Sequence, residues 1–260
     1  MATAARRLHR SAAPARNAAA ASPAASPTSA AAVFERLLGD IVGGAYGPGA
    51  RLPAERELAR ALGASRPTLR EALRRLGEWG LIEAHPGSGV EVRPQRDWSL
   101  DVLPAYLRFG AAKRGPAEMG ALVRDLLAVR RSLFVDVLKI VGDRIRPGSL
   151  TAARAHAQAA FAARSRPEAF VREDFEAMRA VVEAADFLPA LWLLGGLSEV
   201  YAQIAATLTG TVLAPPDYLA SFRAVFDALE AGRTEAACTA LSSYLGRHDR
   251  RLLATLGVRP

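Results

Sequence analysis

The chain has 260 residues, half of them hydrophobic, and a formal net charge of +8; that length accommodates two domains, and that apolar content excludes wholesale disorder. Its single cysteine, Cys238, excludes an intramolecular disulfide framework and a cysteine-rich zinc site, and points to a reducing, cytoplasmic setting. No apolar run approaches the roughly 18–20 residues that a membrane span needs, so a membrane is not among the expected partners.

In chain order, residues 1–30 are mostly Ala, Ser, Pro and Arg without apolar periodicity, and read as a disordered tail that cannot offset its ordering entropy. Residues 31–94 read as a small head. Val33 to Ile41 has Val33, Leu37, Leu38 and Ile41 on one helical face and ends at Gly43-Gly44. Pro53 opens a second helix with Leu58, Ala59 and Leu62 inward, stopped by Gly63. Ser65 is a natural N-cap for a third helix, Arg66 to Glu78, whose core stripe is Leu69, Ala72, Leu73 and Leu76 and whose terminal glycine is Gly80. Two short strands, 81–84 and 90–92, follow, joined by His85-Pro86-Gly87-Ser88-Gly89 as a tight hairpin. The fold class is therefore mainly α: a winged helix-turn-helix with a β-hairpin wing, then an all-α bundle.

After a linker at 94–97, residues 98–257 show seven helical patterns and no convincing strand: 98–110, 116–142, 150–165, 168–184, 188–209, 216–231 and 233–256. The second has the cleanest apolar stripe, Leu122, Leu126, Val129, Leu133, Val137 and Ile140, which predicts its inward face. The absence of an internal repeat favours a closed bundle over a solenoid.

Residues 31–95 carry nine arginines against eight acids, so a nucleic-acid reading rests on where the arginines point rather than on net charge. Leu69, Leu73 and Leu76 of the third helix face inward, while Arg66, Arg70 and Arg74 recur every fourth residue on another face. An α-helix fits the major groove and presents its N-terminal residues to base edges, so Arg66 and Arg70 could offer guanidinium forks to guanine. Ser65 and Thr68 suit phosphate oxygens, Arg56 could clamp the backbone or reach a base, and Gly87 lets the wing approach the minor groove beside His85. The competing reading of such a row is a solvated face; the capped helix, the tight turn and the glycine hairpin together favour DNA.

Arg51-Leu52-Pro53-Ala54-Glu55-Arg56-Glu57-Leu58-Ala59, the run Ser65 to Leu76, Gly80-Leu81-Ile82 and Gly87-Ser88-Gly89-Val90 resemble the GntR family of bacterial regulators over about residues 33–93. The resemblance implies DNA contacts from Arg56, Ser65, Arg66, Thr68 and Arg70, minor-groove approach at Gly87, and a homodimer on inverted repeats of double-stranded DNA. Pro67 departs from the polar residue common at that position.

The helical second part is similar to the FadR-like branch of that family. One subtype of the branch holds a metal through an Asp and three His; here Arg172, Glu176, Phe222 and Tyr244 stand at those positions, so no metal or other cofactor is expected. The other subtype senses acyl-CoA without metal, and similarity to it implies that Arg130, Tyr201 and Tyr244 border the ligand cavity. A guanidinium entering an apolar bundle needs an anionic partner. That partner is either an anionic effector (fatty acid, acyl-CoA or another organic acid) or Glu176 in an internal Arg130–Glu176 pair; simple exposure of Arg130 is the third option.

Three readings of function follow. The preferred one is a ligand-responsive, DNA-binding transcription regulator. An architectural DNA-binding protein whose bundle only dimerises is the second. An enzyme is the third and least supported: the chain lacks a Gly-x-Ser-x-Gly elbow, a phosphate-binding glycine loop, a His-Glu-x-x-His motif and a dinucleotide fingerprint.

Overall fold

The computed structural model describes residues 29–206, 214–255 and 257. The expected tail lies outside the described residues except at its end, where Ser29 caps the first helix by accepting the Ala32 amide at 3.2 Å. That helix, α1 (Ala30–Val42), thus begins three residues before the predicted start. It buries Val33, Phe34, Leu37, Leu38, Ile41 and Val42.

Helix α2 (Glu55–Ala61) starts two residues after Pro53. The turn to α3 (Arg66–Glu78) passes through Gly63 at φ 62°, and Ser65 closes the first turn of α3 by accepting the Thr68 amide. Leu69, Ala72 and Leu76 are buried against α1, with Phe34 and Trp79 meeting edge to face at 4.9 Å. Gly80 carries φ 71°, and a Cβ there would stand 2.5 Å from the Asp97 carbonyl oxygen, so only glycine lets the chain leave α3 at this point.

Strands β1 (Ile82–His85) and β2 (Gly89–Val92) pair antiparallel, Ile82 opposite Val92 and His85 opposite Gly89. The first starts one residue later than predicted because the Leu81 amide is taken by the Leu76 carbonyl at the end of α3. Residues 49–52 lie along the far side of β2 through the Gly49–Val92 and Leu52–Val90 hydrogen bonds, which steadies the hairpin.

Helix α4 (Leu103–Val141) is two arms joined at Gly115, where φ 77° and ψ 168° break the helical path. The first arm was expected to belong to the bundle. Instead Val102, Ala105 and Phe109 pack with the hydrophobic cluster of the head, and Arg108 pairs with Glu35 of α1. The second arm joins α5 (Thr151–Ala162), α6 (Pro167–Ala184), α7 (Leu188–Ala206), α8 (Tyr218–Glu230) and α9 (Thr234–Thr255) around a second cluster centred on Phe134, Phe175, Met178, Phe222 and Leu241.

The predicted inward stripe of this arm is corrected in part. Val137 is buried and Leu133 packs against the core, but Val129 is 62% and Ile140 53% exposed, while Leu127, Arg130, Phe134, Leu138 and Val141 face the core. The stripe lies along the edge of the buried face, rotated from its centre.

Candidate nucleic-acid interface and buried polar site

Seven residues were expected at a DNA surface, and the fold places them around α3 and the wing. Arg56 on α2, Ser65, Arg66 and Arg70 on α3, and His85 and Gly87 on the hairpin are exposed; Thr68 is half-buried. The Ser65 and Thr68 hydroxyls lie 2.7 Å apart, sharing a hydrogen bond at the mouth of the helix, where amide dipoles favour an anion. Gly87 at φ 74° and Gly89 at φ 90° make the hairpin tip, and a side chain at either would point into open space.

The arginine row is not uniform. Among the described residues, Arg56 and Arg66 carry no ion pair. Arg70 Nε donates to Glu55 Oε2 at 2.9 Å, tying α3 to the start of α2, with both side chains largely in solvent. Arg74 is held on both sides, by Glu71 at 2.6 Å and by Glu78, so its charge is answered within its own helix. Free positive charge therefore concentrates at the N-terminal end of α3, the end that enters a groove.

In the bundle, the buried acidic and basic side chains among the described residues are Arg130, Asp174, His248 and Asp249. Arg130 Nη2 donates to Asp249 Oδ1 at 2.8 Å, and both side chains are 6% exposed. The Asp249 carboxylate also accepts from Arg131 Nη1 at 3.3 Å. Glu176 is not part of this site. It lies on the flank of α6, paired with Arg179 at 3.1 Å, because the α6 positions that face inward are Asp174, Phe175 and Met178. The anticipated Arg130–Glu176 pair is thus replaced by Arg130–Asp249, and Arg130 is buried rather than exposed.

Tyr218 donates to Asp174 Oδ1 at 2.9 Å, and Tyr201 donates to the Leu126 carbonyl at 2.7 Å. Tyr244 is buried, edge-on to Tyr218 and Phe222 and stacked over His248. Burial, reinforced by the charges of Arg130 and Arg251, pushes His248 down to about 3, so its imidazole is neutral. Burial raises the Asp174 and Asp249 carboxyls above their ordinary range, against the pull of Arg130. Burial likewise pushes Tyr201 up to about 12. Arg130 Nε is buried with no hydrogen-bond partner. An unsatisfied guanidinium N–H is costly to bury, and it is a donor still available to an acceptor.

The positions that hold a metal in the resembling subtype do not fit one here. Arg172 pairs with Glu168, Phe222 and Tyr244 are core aromatics, and the nearby guanidinium of Arg130 would repel a cation. Among the described residues no group of three or more His, Cys, Asp or Glu side chains is placed to hold a metal ion. No helix among them is long and apolar enough to cross a membrane.

Asp174, Tyr218, His248 and Asp249 were missed as site residues. Their signal lay in helical spacing: His248 and Asp249 follow Leu241, Tyr244 and Leu245 on the buried face of α9, and Asp174 sits between Phe170 and Met178 on that of α6. A polar residue at a core position marks such a site.

Residues 29–92 match the family described as bacterial regulatory proteins, gntR family, and residues 125–247 match the FCD domain. A helix-turn-helix transcriptional regulator of Mycobacterium tuberculosis is 30% identical over 225 residues, covering 86% of this chain and 91% of the relative. A fatty acid metabolism regulator protein of Erwinia tasmaniensis is 29% identical over 65% of this chain and 68% of its own length. Its namesake from Vibrio cholerae is 34% identical over 98 residues, 37% of this chain and 33% of its own length. Among solved structures, Lar, which controls expression of the Listeria monocytogenes agr system, superposes with a TM-score of 0.57 at 16% identity, over 86% of this chain and 97% of that one. At that identity the likeness speaks for the fold alone.

Proposed function

The chain belongs to the gntR family of bacterial regulatory proteins, and from that premise we propose that it acts in the cytoplasm as a homodimer on an inverted-repeat operator, switched by an anionic small molecule in its bundle. It is a DNA-binding transcription regulator with an effector-binding FCD domain, not an enzyme.

The observation that carries the reading is the exposed start of α3, where Arg66 is unpaired and Arg70 is held only by a solvent-exposed carboxylate. An exposed ion pair contributes about 0–1 kcal/mol, whereas a bidentate guanine contact contributes about 1–3 kcal/mol of discrimination. Arg70 can therefore exchange Glu55 for a base edge with a net gain. Ser65 and Thr68 would meet a phosphate, Arg56 the backbone, and Gly87 with His85 the minor groove. One α3 reads only a few base pairs, so two heads are needed to reach operator affinity.

For the effector, support comes from the unfilled Nε of Arg130, one helical turn from Phe134, whose ring meets Phe175 and through it Tyr201 in the aromatic core. That chemistry suits an apolar body ending in one anionic group. Fatty acids and acyl-CoA lead this class, in keeping with relatives named fatty acid metabolism regulators. An incoming carboxylate would compete with Asp249 for Arg130. It would act as a switch only by its difference in affinity between the two states of the dimer.

The test is operator binding. After selection of the operator from random duplexes, Arg66→Ala and Arg70→Ala should each weaken specific binding by roughly 5- to 150-fold, with little change on non-specific DNA. Equal losses on both would make these arginines backbone contacts. Thermal melting against acyl-CoA and organic acids tests the effector; flat responses throughout would leave a bundle that only dimerises.

A further inference from the structure

The head and the bundle meet around a cavity of about 510 Å3, within the size range of small-molecule sites. One wall belongs to the head. The Arg93 amide donates to the Leu81 carbonyl at 2.8 Å and the Ser99 amide to the Trp79 carbonyl at 2.9 Å, which fastens the segment after β2 to the head. That segment and the first arm of α4 bring Trp98, Leu100, Leu103 and Tyr106 to the cavity. The other wall belongs to the bundle. It is formed by Leu122 and Leu126 of the second arm, where Tyr201 of α7 donates to the Leu126 carbonyl. Along the chain, the break at Gly115 falls between the two walls.

The lining has the chemistry of an amphipathic ligand. Trp98 and Tyr106 meet edge to face at 6.3 Å, and Leu100 is 45% exposed, so apolar surface is left for a guest to cover. Among the described residues that line the cavity, Arg96 is the one with a charge. Its side chain is 83% exposed, and the carboxylate it faces, Asp97, is 3.9 Å away and also pairs with Arg93. An ion pair so loose and so wet is readily exchanged for another anion. The junction also holds an unfilled donor. Arg114, 10% exposed, stacks over the Tyr106 ring at 4.3 Å and reaches across the break to Glu118 at 2.9 Å, yet its Nη1 is buried without a hydrogen-bond partner. Burying an empty guanidinium N–H is costly, so the wall that carries Tyr106 is not in a fully satisfied arrangement.

We propose that this junction is a second small-molecule site, separate from the buried polar site of the bundle, and that it takes an amphipathic monoanion: an apolar body between Trp98, Tyr106, Leu122 and Leu126, with one carboxylate on Arg96. Apolar walls supply the affinity and a single placed charge the orientation. Because the walls lie on opposite sides of Gly115, a guest touching both binds best at one angle of the break and selects that disposition of head on bundle. The proposal does not depend on the effector reading of the bundle.

The test is fluorine NMR of the full chain labelled with fluorotryptophan, titrated with decanoate and with decylamine. The chain has three tryptophans, and Trp98→Phe assigns the resonance of Trp98. Decanoate is expected to shift that resonance saturably, and decylamine, with a similar body and the opposite charge, to bind at least about 5-fold more weakly. Arg96→Glu, an exposed change, should reverse that preference. Leu122→Tyr, which fills the cavity from the bundle side, should weaken decanoate at least about 5-fold with far-UV circular dichroism retained. Decanoate that binds by calorimetry but leaves Trp98 unmoved, or moves it equally well in both variants, overturns the junction site and leaves the bundle effector standing. No binding of decanoate by either measurement overturns the junction site as well. A Trp98 resonance that shifts with protein concentration alone would put a second copy in the cavity, and would also overturn it.

Discussion

The head and the bundle each hold an arginine against a carboxylate at nearly the same distance, 2.9 Å for Arg70–Glu55 and 2.8 Å for Arg130–Asp249. The side chains of the first pair are 69% and 40% exposed, those of the second 6% each. In water the first pair is a loose tether, easily traded for another anion. In the core the second is obligatory, since either partner alone would be a buried charge without an answer. The same chemical contact thus serves readiness in one region and fixity in the other, and burial alone makes the difference.

The strongest way to break that comparison is to remove one carboxylate from each pair. Asp249→Ala should destabilise the chain by about 3–5 kcal/mol in urea unfolding, while Glu55→Ala should stay within about 1 kcal/mol. Equal effects would end the distinction. Acid should act on the bundle next. His248 is held neutral down to about 3 but charges near 6.5 when unfolded, so the stability it contributes is complete above 6.5 and lost as pH falls toward 3. Asp174 and Asp249, with raised folded values, act in the opposite sense, so the informative quantity is a difference. Relative to His248→Phe, wild type should lose roughly 1.4 kcal/mol per pH unit below about 6. Parallel pH profiles would contradict a buried neutral imidazole.

In the head it is backbone rather than charge that is fixed. Gly80→Ala forces a side chain at φ 71° against the Asp97 carbonyl and should cost about 1–3 kcal/mol in thermal unfolding. The smallest effect sharpens the comparison from the other side. Glu55→Ala releases Arg70 and should tighten DNA binding a few-fold at low salt, up to the ~1 kcal/mol such a pair contributes, with the gain fading as ionic strength rises. Unchanged affinity would mean that Glu55 never restrained Arg70.

Local chemistry made the head readable from sequence. Ser65, Gly63, Gly80 and the wing glycines each answer a backbone demand that exists before any packing, and each stands where that demand arises. The bundle was readable as helices but not as faces. The α4 period selected Val129 and Ile140 because both of its sides are apolar, and periodicity cannot say which side meets the rest of the chain. Arg130 and Asp249 were harder still. They pair across α4 and α9, over a hundred residues apart in sequence, and no local pattern announces such a pairing. Glu176 was assigned to Arg130 by chemical plausibility, and one helical position of rotation sends it to Arg179 instead.

The break at Gly115 has a mechanical meaning. The arm ahead of it packs into the core of the head and the arm behind it into the core of the bundle, so the two regions share one backbone that bends at a single residue. The twelve residues from Leu103 to Arg114 make a spar about 18 Å long. A pivot of ~15° at its root, the scale of known quaternary rotations, sweeps its tip by about 5 Å. That exceeds the ~3.4 Å rise between successive bases, so a modest repacking among the helices behind Gly115 is sufficient to carry a reading head off its step of the duplex.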